Sequence, residues 1–150
     1  KGQTFQIEDL LPGPFGHNRK KGHGLLDSTG TNLEPEKTKP ETQAQLAINA
    51  AQRSYTPYSH SPEGFVAQCL DGHSFSGRAA ESIAFNPSVS GVVVALNQRN
   101  LSSRRSVAIT ACTQAKLATA LNSPLAQAKA IMKHIAEASV DEVQMEVQPS

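Results

Sequence analysis

Tryptophan is missing from this chain of 150 residues, and aromatic residues of all kinds make up 5% of it. So few aromatics argue against a stacking platform for single-stranded nucleic acid. Neither sign of charge prevails, with 14 Lys and Arg against 13 Asp and Glu and a net charge of +1. That balance argues against a nucleic-acid binder relying on bulk positive charge. No apolar run approaches the roughly 18 residues of a membrane span. Cysteine is scarce: Cys69 and Cys112 are the two present, and their separation matches no short metal or redox motif. Two reduced thiols in a cytosolic protein are the expectation, and nothing supports a disulfide between them. No glycine-rich phosphate loop and no nucleophile elbow is found. Lys1 stands first and no apolar h-region follows. No signal peptide is therefore expected, and the chain reads as a cytoplasmic fragment of something longer.

The first forty residues hold six of the ten glycines and four of the nine prolines. Pro12-Gly13-Pro14, Gly22-His23-Gly24 and Thr29-Gly30-Thr31 break any helical period, so residues 1–39 read as an arm or linker. Its Arg19-Lys20-Lys21 cluster reads as a solvated charge run. From Pro40 the pattern changes to a domain over residues 40–150. Ala44, Ala47, Ile48 and Ala51 follow the i, i+3, i+4, i+7 template and predict a helix over 41–54. Pro57 ends it in the turn Tyr55-Thr56-Pro57-Tyr58-Ser59. Phe65–Leu70 and Ser74–Ala79 read as strands joined through Asp71-Gly72, a dipeptide that supplies positive φ in a tight hairpin. Asn86-Pro87-Ser88 is a helix-start signal ahead of Val89–Leu96. Val92-Val93-Val94 alone favours a strand, but the start signal and Ala95-Leu96 favour a helix. Val107–Ala111 reads as a short buried strand. Ser123-Pro124 opens a helix with Leu125, Ala128, Ile131, Met132 and Ile135 on one face. Val143, Met145 and Val147 alternate as a last strand. The order helix, strand, strand, helix, strand, helix, strand predicts an α/β fold: a mixed central sheet with helices on both faces.

The stretch Tyr55-Thr56-Pro57-Tyr58-Ser59 resembles the Pro-Tyr-Ser turn that opens the core of the cytidine deaminase family. An Asp-Gly hairpin, here Asp71-Gly72, follows in that family. Next comes a Gly-x-Asn-x-Glu-Asn-Ala-x-Tyr/Phe stretch, here Gly77-Arg78-Ala79-Ala80-Glu81-Ser82-Ile83-Ala84-Phe85. The resemblance covers about residues 40–148 and implies the family's three-layer fold. Glu81 and Phe85-Asn86-Pro87 look closest to the second, C-terminal domain of the two-domain bacterial and plant type. Asp9-Leu10-Leu11-Pro12 and Phe15-Gly16 are similar to the segment that joins the two domains there.

Hydrolytic deamination of cytosine needs a zinc-generated hydroxide, held by a His or Cys with a Glu two residues on and a Pro-Cys-x-x-Cys. By resemblance the first ligand opens the second helix, where this chain has Ser90-Gly91-Val92. Serine is a poor zinc ligand and Val92 carries no proton. The cysteine pair is reduced to Cys112 in Ala111-Cys112-Thr113-Gln114-Ala115. No catalytic residue and no metal ligand is therefore expected in this chain. None of His17, His23, His60, His73 and His134 sits at ligand spacing. The pocket is also thinned: Ser61 stands where the family has an aromatic wall, and Ala79 with Glu81 stands where an Asn and a Glu hold ribose. Glu81 reads as a structural hydrogen-bonding group.

The resemblance implies the non-catalytic C-terminal domain of a cytidine deaminase. Its parent would convert cytidine and 2′-deoxycytidine to the uridine products in pyrimidine salvage, with zinc in the N-terminal catalytic domain and none in this fragment. The implied partners are that domain and the second subunit of a homodimer, with no nucleic acid and no membrane. Carried over by position, Ile83 and Phe85 would reach the partner's nucleoside pocket, with simple interface packing as the competing role. Two rivals stand beside this: a free-standing interaction or regulatory module with the same fold, and an RNA-binding offshoot, for which Arg104-Arg105 is the one basic pair in the core.

Overall fold

The computed structural model describes residues 33–35, 42–82, 88–120 and 124–147. In chain order the elements are β1 Leu33–Pro35, α1 Thr42–Gln52, β2 Glu63–Cys69, β3 Ser74–Arg78, α2 Gly91–Leu101, β4 Ile109–Leu117, α3 Leu125–Ile135 and β5 Val140–Val147. The strands form one mixed sheet in the order β1-β5-β4-β2-β3. The β2–β3, β2–β4 and β1–β5 pairs are antiparallel, while β4 and β5 run parallel. A parallel pair requires a crossover, and α3 supplies it. Three residues of the predicted arm, Leu33–Pro35, thus join the sheet against β5; the rest of that arm lies outside the described residues.

Strand alternation divides the core in two. Phe65, Ala67, Cys69, Cys112 and Val140 face Val92, Ala95 and Leu96 of α2 and Ala128 and Met132 of α3. On the opposite side, Val66, Ala115, Leu117 and Met145 meet Ala47, Ile48 and Ala51 of α1. Helices therefore cover both faces, as the pattern predicts. The hairpin turns where expected: Gly72 has φ 81°, and its N–H donates to the Cys69 carbonyl at 2.9 Å. The Asp71 carboxylate accepts the His73 N–H and pairs with Arg104 at 2.8 Å. Glycine also sets how close α2 lies to the sheet. A Cβ on Gly77 would fall 1.9 Å from the Gly91 carbonyl oxygen and 2.5 Å from the Ala95 nitrogen.

Three boundaries differ from the sequence reading. Helix α2 begins at Gly91, not beside the Asn86-Pro87 signal, because Val89 is still extended and bridges to Ala80. Strand β4 continues to Leu117 and β5 starts at Val140. The polar residues Thr113 and Gln114 hid the length of β4, yet both are buried, because this strand is central and flanked by β5 and β2.

Candidate functional site

The N-terminus of α2 lies over one end of the sheet, and its first turn has no cap of its own. Ser90 is extended (φ −89°, ψ 158°), and its hydroxyl caps nothing. The Gly91 N–H donates instead to Glu63 Oε1 at 2.9 Å, a contact spanning 28 residues from the first position of β2. Glu63 is 5% exposed. Its burial pushes the carboxyl group up to about 7, against a smaller lowering by the Gly91 N–H. An anionic or partly anionic group at this place also meets the positive end of the helix dipole.

The surroundings of Glu63 follow from register. Lys116 is its cross-strand partner, and Gln114 is opposite Phe65. Residues two apart share a face, so Glu63, Phe65, Gln114 and Lys116 point to the same side as Cys112. Lys116 bonds to Glu142 of β5 at 3.3 Å. Gln114 is fully buried, and neither its Oε1 nor its Nε2 has a partner; the buried Ser90 hydroxyl is also unpartnered. One face of the sheet is thus apolar along most of its length and polar at the end beneath α2.

A second constellation joins the Tyr55–Ser59 turn to the segment Ala79–Ser82 that follows β3. The Glu81 carboxylate accepts the N–H of Tyr58 at 3.0 Å and of Ser59 at 3.2 Å. Its own N–H donates to the Tyr55 carbonyl at 2.8 Å, and the Tyr55 N–H donates to Ala79. Glu81 is therefore engaged in holding the turn, the structural role expected of it. Nearby, Ala80 and Val89 exchange two backbone hydrogen bonds, and the Ser82 N–H donates to Ser88 Oγ. Ile83 and Phe85 lie between these anchors and outside the described residues, as do His17, His23 and the Arg19-Lys20-Lys21 cluster.

The residues at the α2 terminus do not fit a zinc ion. Ser90 and Gly91 supply no thiolate or imidazole, and Val92 is buried. Cys112 is buried in the core face with Cys69 close by. Burial first, then Asp141 and Cys69, push its thiol up to about 12, as befits a thiol held in an apolar core. Among the described residues no three His, Cys, Asp or Glu side chains converge as a metal site. His60, His73 and His134 are exposed, and His73 stacks edge-on against Phe75 with ring centroids 4.7 Å apart. Glu63 and Gln114 were not singled out from sequence. A charged residue opening a strand and a glutamine within one both pass for surface positions; the i, i+2 relation of Gln114 to Cys112 is the signal that points inward.

Comparison with known proteins follows the same lines. Residues 3–132 match the family model described as the cytidine and deoxycytidylate deaminase zinc-binding region. The chain belongs to the cytidine and deoxycytidylate deaminase family. It is 39% identical over 98 residues to the cytidine deaminases of Salmonella enteritidis PT4 and Salmonella newport, an overlap of 63% of this chain and 32% of each relative. It thus spans about a third of the length of these curated relatives. Among solved structures, a Burkholderia pseudomallei cytidine deaminase superposes with a TM-score of 0.57 at 19% identity, covering 71% of this chain and 84% of that one. The Mycobacterium leprae enzyme gives 0.55 at 17% identity, covering 67% and 87%. Both likenesses show the fold, a mixed sheet between helical layers. Among the described residues no helix is long and apolar enough to cross a membrane.

Proposed function

We propose that this chain is the non-catalytic C-terminal domain of a two-domain cytidine deaminase acting in the cytoplasm. The whole protein would hydrolyse cytidine and 2′-deoxycytidine to uridine and 2′-deoxyuridine with release of ammonia, in pyrimidine salvage. Its zinc would be held by the N-terminal catalytic domain. The observation that carries this reading is the joint loss at the α2 terminus: Ser90, Gly91 and Val92 offer neither a metal donor nor a proton carrier, inside a fold otherwise that of the family. The match covers 32% of each Salmonella relative, which supports a further domain outside this stretch.

The domain would serve by dimerising and by closing the partner subunit's nucleoside pocket with Phe85 and Ile83. Two features support this. The described residues on either side of both positions are joined by the Ala80–Val89 bridge and the Ser82–Ser88 bond. The outer side of α2 and its lead-in carries Val89, Val93 and Leu101, which are 40%, 44% and 81% exposed in the single chain. Exposed apolar side chains of this kind suit an obligate interface, where buried surfaces resemble a core.

The test is Phe85→Ala in the full-length dimeric enzyme. A severalfold rise in KM for cytidine, with the dimer intact by sedimentation, supports the reading. Unchanged kinetics in an intact dimer removes the trans contact. A full-length protein that releases no ammonia from either nucleoside points to the free-standing module instead.

A further inference from the structure

We propose that Glu63 is an internal tie in place of a metal site: its carboxyl group fastens the first amide of α2 to the sheet where the family would set its metal ligands. This rests on the reading of the domain as non-catalytic.

Helix α2 needs such a tie. The first N–H groups of a helix have no partner within it, and losing a cap costs about 1 kcal/mol. Ser90 is the residue type that caps helices, yet its hydroxyl makes no such bond. The acceptor comes from β2, and Glu63 is the one buried carboxylate among the described residues. The space for it exists because residue 91 is glycine. A Cβ there would lie 3.1 Å from Glu63 Oε1, 3.2 Å from Phe65 Cβ and 2.9 Å from the Gly77 carbonyl oxygen. A larger residue at position 91 would crowd the carboxyl group out.

Two further groups mark this end of the sheet as built for a polar occupant. Gln114, diagonal to Glu63 across the β2–β4 register, is fully buried with both amide atoms unpartnered, and the Ser90 hydroxyl is buried likewise. Buried polar groups without partners are rare and each costs free energy. Neither bonds to Glu63, and the Gly91 N–H is the donor that holds its carboxyl group. This end of the face is nonetheless polar, and poorly matched to an apolar side chain.

The experiment is amide hydrogen exchange on the purified full-length protein, resolved to Gly91 by fragmentation of the peptide that spans residues 88–101. Glu63→Leu fills the volume without an acceptor and should speed exchange at Gly91 at least tenfold. Glu63→Gln retains an acceptor oxygen and should stay within about twofold of wild type. Ser90→Ala, which removes no cap, should leave Gly91 unchanged. Should Glu63→Leu fail to fold, Glu63→Ser, too short to reach α2, replaces it with the same expectation. Wild-type protection at Gly91 in the leucine or serine variant, or loss of protection from wild type on chelation, overturns the proposal. Zinc counted by mass spectrometry separates this from the underlying reading. One ion per polypeptide leaves the non-catalytic assignment standing whatever Gly91 does. A second ion that survives in the Glu63 variants would sink that assignment alone.

Discussion

Replacing Glu63 by glutamine should remove a pH dependence of stability that the wild type carries. The group is 5% exposed, and burial raises it from 4.5 to about 7. The charged and polar groups around it do not cancel that shift. Lys116, opposite in register, is bonded to Glu142; Gln114 and Ser90 are neutral; the Gly91 N–H lowers the carboxyl group less than burial raises it. Because the folded value lies above the unfolded one, the folded protein binds more protons between them. Stability is therefore greatest below about 4.5 and declines as pH rises to about 7, beyond which the full cost of the buried charge is present. A difference of about 2.5 pKa units corresponds to roughly 3 kcal/mol. About 2.5 kcal/mol of it would be lost between about pH 5 and pH 8. Denaturant unfolding of wild type and Glu63→Gln across that range measures the quantity directly. The wild type should lose stability relative to the variant by about that amount, with the two curves meeting at the acid end. Parallel curves would show that Glu63 is charged throughout at no cost, and the assignment of its burial as the governing effect would fall.

Other perturbations follow from the same coordinates. Gly77→Ala places a methyl group where the Gly91 carbonyl oxygen already lies 1.9 Å away; it should destabilise by about 3 kcal/mol or more, read from denaturant midpoints. Met132→Ala, at a fully buried position on the inner side of α3, should cost about 2–5 kcal/mol by the same measurement. Glu81→Ala removes the acceptor shared by Tyr58 and Ser59 and should leave the helices intact by circular dichroism while raising proteolysis within the 55–60 turn. Cys112, buried and pushed up to about 12, should react with a thiol reagent only after denaturation; prompt labelling of the native protein would contradict its placement.

Most of the fold was legible because the elements have short periods and clear punctuation. The Ala44–Ala51 spacing, the Asp71-Gly72 turn and the Ser123-Pro124 start each act over a few residues, and the corresponding elements form. Misplaced boundaries have one physical cause in common: a distant contact overrules the local signal. Val89 remains extended because Ala80, nine residues earlier, bonds to it. Ser90 has the right chemistry to cap α2, but a carboxyl group from β2 does so. Thr113 and Gln114 look like the end of a strand, and strand pairing on both sides carries β4 through them. The same reasoning explains why Glu63 was overlooked. Its meaning lies in a contact 28 residues away, and no pattern along the chain records that.

The stability of this scaffold resides chiefly in its two apolar clusters. One apolar cluster, reaching Val92 in the first turn of α2, holds α2 and α3 through Val92, Ala95, Leu96, Ala128 and Met132; the other holds α1 through Ala47, Ile48 and Ala51. Burying a side chain such as Ile48 or Met132 is worth about 1.5–3 kcal/mol, and the eleven buried Val, Leu, Ile, Phe and Met side chains among the described residues outweigh anything a single bond at a helix end contributes. What the terminus does govern is the pose of the first turn of α2, and with it Val89 and Val93 on the exposed side. A glycine at position 91 brings that turn close to β2 and β3, and the carboxyl group from β2 holds it there. The contact between Glu63 and Gly91 at this end of the sheet therefore positions the first turn of α2 and the exposed Val93 that it carries.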